Sequence, residues 1–133
     1  MADAPCILIV DDAAVLRGLI RTVLERKGFR TLQAENAEAA LEIARQTPPD
    51  LVLMDLEMPG MNGIEGIRAF RADPRLAHLP VVAVTGNSDL QTKSAARAAG
   101  AEGYLVKDEK LRDRLAETIQ RYLRSHALAL AQR

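Results

Sequence analysis

The chain has 133 residues, enough for one domain with a core of its own and too few for two. Eighteen Lys and Arg residues balance eighteen Asp and Glu, so no overall field draws it to nucleic acid or an anionic membrane, and any charge that matters is local. The lone cysteine, Cys6, has no internal partner, the apolar runs are far below a membrane span, and MADAPC is not a signal sequence, which together point to a reducing, cytoplasmic compartment.

Cys6 to Val10 is a continuous apolar run ending in Asp11 and Asp12, the pattern of a strand buried on both faces. A helix follows, with Val15, Leu16, Leu19, Ile20, Val23 and Leu24 on one side, Arg17, Arg21, Glu25 and Arg26 on the other, and Gly28 closing it. Gly18 sits inside that helix at a cost of about 1 kcal/mol against alanine. Arg30 to Ala34 alternates in character and suits an edge strand. Asn36 caps the next helix, whose apolar stripe is Ala37, Ala40, Leu41 and Ala44, before Thr47 to Asp50 break it.

The stretch LVLMDLEMPGMNG, Leu51 to Gly63, holds the central buried strand, and its Pro59-Gly60 and Asn62-Gly63 pairs supply turn chemistry after Asp55. Ile64, Ile67 and Phe70 mark a short helix ending near Asp73-Pro74. Val81 to Val84 is a further buried strand that ends in Thr85. Ser88, with Gln91 three residues later, has the spacing of a capping box for an alanine-rich helix that Gly100 stops. Tyr104, Leu105 and Val106 form the last strand, ending in Lys107. Asp108 caps a final helix with Leu111, Leu115, Ile119 and Tyr122 inward, and residues 125–133 are expected to be a frayed tail or helix extension. Five alternations of strand and helix make an α/β domain with a doubly wound, five-stranded parallel sheet and helices on both faces.

A parallel sheet of this kind binds ligands at the carboxyl ends of its strands. The residues there are Asp11 and Asp12, Asp55, Thr85 and Lys107. Singly, each has an ordinary reading: Asp55 a turn former, Asp11 a cap, Thr85 a strand residue, Lys107 a solvated side chain. Together, three carboxylates at one edge repel unless a cation or a proton offsets them. An all-oxygen ligand set favours a hard ion such as Mg²⁺, whose open positions suit a phosphate. Lys107 and the Thr85 hydroxyl add a charge and a donor for phosphoryl oxygens, and Asp55 is the natural nucleophile. His78 and His126 have no second ligand at metal spacing and read as bystanders.

From ILIVDD through LVLMDLEMPGMNG and VVAVTG to GYLVK, nearly the whole chain resembles the receiver domains of two-component response regulators, in particular the single-domain, chemotaxis-type members. The resemblance implies a flavodoxin-like fold with strand order 2-1-3-4-5, a receiver spanning residues 1–124, and a phosphoacceptor role for Asp55. By the same resemblance the donor would be a phosphohistidine on a histidine kinase or phosphotransfer protein, and the domain would catalyse only its own phosphorylation and dephosphorylation. It further implies Mg²⁺ held by Asp11, Asp12, Asp55 and the backbone carbonyl of Glu57, with Thr85 and Lys107 on the phosphoryl oxygens. Tyr104 matches the switch aromatic, and the face of the fourth helix, last strand and last helix would contact a downstream protein. Phosphorylation-dependent homodimerisation is compatible with the same pattern, whereas nucleic acid and membrane are not expected partners.

Receivers usually follow the lysine with a proline after a cis peptide, and here Asp108 stands in that place. A cis bond before a non-proline residue costs about 2.5–4 kcal/mol, so a trans bond with a shifted loop and a less well placed Lys107 is one expectation, and strain the other. Glu57 and Asn87 sit where the family tunes access of water to the acyl phosphate. The alternatives are a receiver excised from a multidomain regulator or hybrid kinase and, less favoured, a Mg²⁺-dependent phosphatase with an aspartyl nucleophile that would use Glu57 as general acid. A flavodoxin-like electron carrier is set aside, because aromatics are 3% of the chain and no Trp is present to flank a flavin.

Overall fold

The computed structural model describes residues 4–131. Residues 1–3 of the N-terminal segment, residues 132–133 of the expected tail and the Leu130 side chain lie outside the described residues. The elements run β1 (Cys6–Val10), α1 (Ala14–Arg26), β2 (Arg30–Ala34), α2 (Ala37–Gln46), β3 (Leu51–Asp55), α3 (Gly63–Ala72), β4 (Val81–Thr85), α4 (Leu90–Ala99), β5 (Gly103–Val106) and α5 (Leu111–Ala131). All strands are parallel, in the order β2-β1-β3-β4-β5, which is the expected doubly wound arrangement.

The unbroken apolar runs become strands because both of their faces are covered. Every residue of β1, β3 and β4 is buried, whereas β2, with its mixed sequence, is the exposed edge. Alternate residues feed two cores. Leu8, Val10, Val52, Met54, Val81 and Ala83 pack with α2, α3 and α4, while Ile7, Ile9, Leu51, Leu53, Val82 and Val84 pack with α1 and α5. Each fully buried aliphatic side chain contributes about 1.5–3 kcal/mol of transfer free energy, so the two cores hold the strand ends in fixed register.

Two local expectations change. On α1, Ile20 and Leu24 are buried, but Val15 is 89% and Leu19 39% exposed, so the apolar stripe is wider than the face the sheet covers. On α4 the cap is Asp89, not Ser88: its Oδ1 accepts from the Thr92 amide at 2.7 Å, a charged acceptor that also complements the helix dipole. The Asn87 side chain takes the Asp89 amide at 2.9 Å. On α5 the segment beyond residue 124 continues as helix to Ala131, the helix extension that is one of the two expectations for it. The Asn36 cap forms as expected, accepting from the Ala39 amide at 2.7 Å.

Where α5 crosses β5, the Tyr122 ring lies directly on the backbone of Gly103, and a Cβ at that position would collide with its hydroxyl. Only glycine allows this approach. Among the described residues, no helix is long and apolar enough to cross a membrane.

Candidate functional site

The parallel register carries the strand ends to one edge. Val10 pairs with Met54, Asp55 with Val84 and Thr85 with Val106, so Asp11, Asp55, Thr85 and Lys107 emerge side by side. The Lys107 amide donates to the Thr85 carbonyl at 2.8 Å, which prolongs the β4–β5 pairing by one residue and fixes where the lysine starts. Below Asp55 the chain turns tightly into α3. A Cβ on Gly63 would overlap the Asp55 carbonyl, and the α3 N-terminus is held by a reciprocal capping box between Asn62 and Glu65.

Asp55 is 1% and Asp11 2% exposed, whereas Asp12 is exposed at the mouth. Each of the three can offer a carboxylate oxygen such that all lie within 4.8 Å of one another. Asp55 Oδ1 accepts from the Glu57 amide at 3.0 Å and from the Lys107 ammonium at 2.9 Å. Asp55 Oδ2 is buried and has no hydrogen-bond partner. Asp11 Oδ1 accepts from the Ala13 amide at 2.8 Å, and its Oδ2 lies 3.3 Å from Lys107 Nζ. The lysine is therefore a built-in cation that offsets part of the acid cluster, which still leaves Asp12 and one Asp55 oxygen uncompensated.

The electrostatics follow from burial. Desolvation pushes the Asp55 carboxyl up, the Lys107 hydrogen bond, the Glu57 amide and the Lys107 charge pull it back, and the Asp11 charge adds to the rise, leaving it at about 6 against an ordinary 3.8. Burial disfavours the Lys107 ammonium, but its bond to Asp55 and the charges of Asp55 and Asp11 outweigh that and hold its pKa above the ordinary value. At neutral pH the lysine is a fixed positive charge.

The Lys107–Asp108 peptide is trans, as are all those described, which is the first of the two expectations, and Lys107 reaches both buried carboxylates. Asp108 settles the turn by accepting the Lys110 amide at 2.9 Å, ahead of α5.

Thr85 is 1% exposed, and its hydroxyl donates to Glu57 Oε2 at 2.8 Å, not to Asp55. It also accepts from the Asn87 amide at 3.0 Å. Glu57 Oε1 takes the Gly86 amide at 2.6 Å. Tyr104 is half-buried at the α4 side of β5, with the Lys93 ammonium 4.5 Å from its ring centroid. His78 is exposed and His126 Nδ1 lies 3.8 Å from Glu102 Oε1, both remote in role from the acid cluster. Sequence reasoning missed the Asn62–Glu65 box, whose N-x-x-E spacing was visible, and the engagement of the Glu57 carboxylate, which has no sequence signal.

Chemically, the arrangement offers one carboxylate oxygen without a partner, an acid cluster able to take a divalent cation, and a lysine and a hydroxyl beside them. Comparison with known proteins places this edge in context. The family model for the response regulator receiver domain matches residues 7–120. The polar-differentiation response regulator DivK of Brucella anthropi is 35% identical over 117 residues, covering 88% of this chain and 94% of that protein. The chemotaxis protein CheY4 of Vibrio cholerae superposes with a TM-score of 0.84 at 29% identity, over 89% of this chain and 98% of that one. The receiver domain of a signal transduction histidine kinase from Syntrophus aciditrophicus superposes with a TM-score of 0.83 at 30% identity, over 92% of each chain. With a family match spanning most of its length and the acidic edge that the fold brings together, the chain belongs to the receiver domains of two-component response regulators.

Proposed function

We propose that Asp55 is the phosphoacceptor and that the domain takes its phosphoryl group from a phosphohistidine on a histidine kinase or phosphotransfer protein. The observation that carries this reading is Asp55 itself: a nearly fully buried carboxylate with one oxygen held by two donors and the other left without a partner. A carboxylate with an unshared lone pair in a dry site is reactive toward an electrophile or a cation. In the transfer, an ionised Asp55 oxygen forms the new bond to phosphorus as the bond from phosphorus to the imidazole nitrogen breaks, and the imidazole takes up a proton.

The residues fit a divalent ion. Asp11, Asp12 and Asp55 supply hard oxygen donors within one ligand sphere, and the orphaned Asp55 oxygen is an atom such an ion would satisfy. Asp11, Asp12, Asp55 and the Glu57 carbonyl would hold Mg²⁺, which when bound neutralises charge on the phosphoryl oxygens. Lys107 releases Asp55 to meet a phosphoryl oxygen, and Thr85 donates to another. Tyr104 then follows Thr85, and the face of α4, β5 and α5 reports the change to a downstream protein or a second copy of the chain. Residues 1–124 form the receiver and 125–133 its extension. The cytoplasm is where such a partner kinase domain would meet it.

A phosphatase reading loses its acid, because the Glu57 carboxylate already accepts from Thr85 and Gly86. The excised-receiver reading keeps support from the kinase-borne receiver of similar fold. Incubation with acetyl phosphate and Mg²⁺ followed by intact mass tests the assignment: one added phosphoryl group on the wild type and none on Asp55→Asn is expected, and equal labelling of both would overturn it.

A further inference from the structure

We propose that Glu57 is a positioning residue, a clamp that holds Thr85 away from the phosphoacceptor and so sets how readily the domain switches. The inference rests on the roles given above to Asp55 and Thr85. A threonine hydroxyl has a single proton to donate. Here that proton goes to Glu57 Oε2 at 2.8 Å, and the hydroxyl's acceptor side is used by the Asn87 amide at 3.0 Å. Thr85 is 1% exposed, so water does not compete for it. It cannot reach a phosphoryl oxygen without first leaving Glu57.

The second arm makes the contact a clamp instead of a chance pairing. Glu57 Oε1 accepts from the Gly86 amide at 2.6 Å, so from the β3–α3 loop one carboxylate spans the last residue of β4 and the first of the β4–α4 loop. Glu57 is exposed, and burial does not dictate its rotamer. The two hydrogen bonds do, and bonds to an ionised acceptor are the strong kind.

The clamp also carries its own release. Phosphorylation raises the charge at Asp55, two residues before Glu57 in the chain, from one negative charge to roughly two, and like charges repel. Phosphorylation would thus loosen Glu57 as it offers Thr85 a new acceptor. The resting hydrogen bonds set the threshold that the phosphoryl group must exceed.

Beryllofluoride with Mg²⁺, as a stand-in for the phosphoryl group, tests this on the full chain. Glu57→Ala is expected to bind it roughly tenfold more tightly, about the change one charge-assisted hydrogen bond represents, and to broaden or shift the Gly86 and Asn87 amide signals before any ligand is added. Loss of a negative charge alone would also favour an anion, so the same substitution is made in a Thr85→Ala background. A gain that shrinks there shows that Glu57 acts through Thr85, whereas an equal gain in both backgrounds, or none in either, overturns the clamp. Acetyl phosphate labelling of the wild type against Asp55→Asn separates the two failures: normal labelling with no Glu57 effect sinks only the clamp, and absent labelling sinks the phosphoacceptor reading beneath it as well.

Discussion

Lys107 reaches back from the end of β5 to place its ammonium 2.9 Å from Asp55 Oδ1, across 52 residues of sequence. The same ammonium lies 3.3 Å from Asp11 Oδ2, so one cation serves two carboxylates that are otherwise cut off from water. Removing one partner of a buried pair leaves the other charge uncompensated, which costs about 3–5 kcal/mol when burial is complete and less here, where the lysine is partly exposed. Lys107→Met should therefore be destabilised at pH 8 and much less so at pH 5, where Asp55 can take a proton. Thermal melts at the two pH values check this, and equal losses at both would count against it.

The acidity of Asp55 makes a second prediction. With the folded-state value raised to about 6 from 3.8, ionising Asp55 disfavours the folded state above pH 6, and that penalty is relieved as pH falls from 6 toward 4. Asp55→Asn should accordingly be more stable than the wild type at pH 7 to 8, with the advantage gone near pH 4. On the proposed reading the ionised form is the nucleophile, so acetyl phosphate labelling should fall roughly tenfold per unit below the Asp55 value. Added Mg²⁺ should move that midpoint to lower pH, since a nearby cation favours the carboxylate.

Metal binding should itself be visible as stability. An ion that binds only the folded protein stabilises it by about 2.7 kcal/mol at a hundredfold excess over its dissociation constant. A Mg²⁺ titration of the wild type should raise Tm, and chelation should reverse it. Asp12→Asn, at an exposed position where folding needs no carboxylate, should keep its fold and lose most of that shift.

Two glycines should respond in opposite directions. At Gly63 a new Cβ overlaps the Asp55 carbonyl, so Gly63→Ala forces the backbone apart just beneath the site and should lose about 1–3 kcal/mol as well as labelling. At Gly18, inside α1, nothing lies within 4 Å of the added carbon. Gly18→Ala should gain about 0.5–1 kcal/mol through helix propensity and label normally. Denaturant midpoints of the two variants decide both.

The fold was legible because burial on both faces leaves an unmistakable imprint: Ile7 to Val10, Leu51 to Met54 and Val81 to Val84 admit no polar residue. The site followed from topology, since a parallel sheet delivers Asp11, Asp55, Thr85 and Lys107 to one edge whatever the loops do. What stayed hidden depends on contacts between loops. Whether Ser88 or Asp89 caps α4 turns on one residue of backbone placement, and that Glu57 would seize Thr85 and Gly86 has no period or spacing to announce it. Val15 and Leu19 look like core because a helical stripe records which residues are apolar and not how far the neighbouring sheet extends.

The Tyr122 ring seated on Gly103 fixes more than local packing. Gly103 opens the strand that carries Tyr104 and leads into Lys107, while Tyr122 lies midway along a 21-residue helix. A side chain in place of the Gly103 hydrogen would have to push the Tyr122 ring, and with it α5, off the strand, so this glycine sets how near the last helix lies to β5.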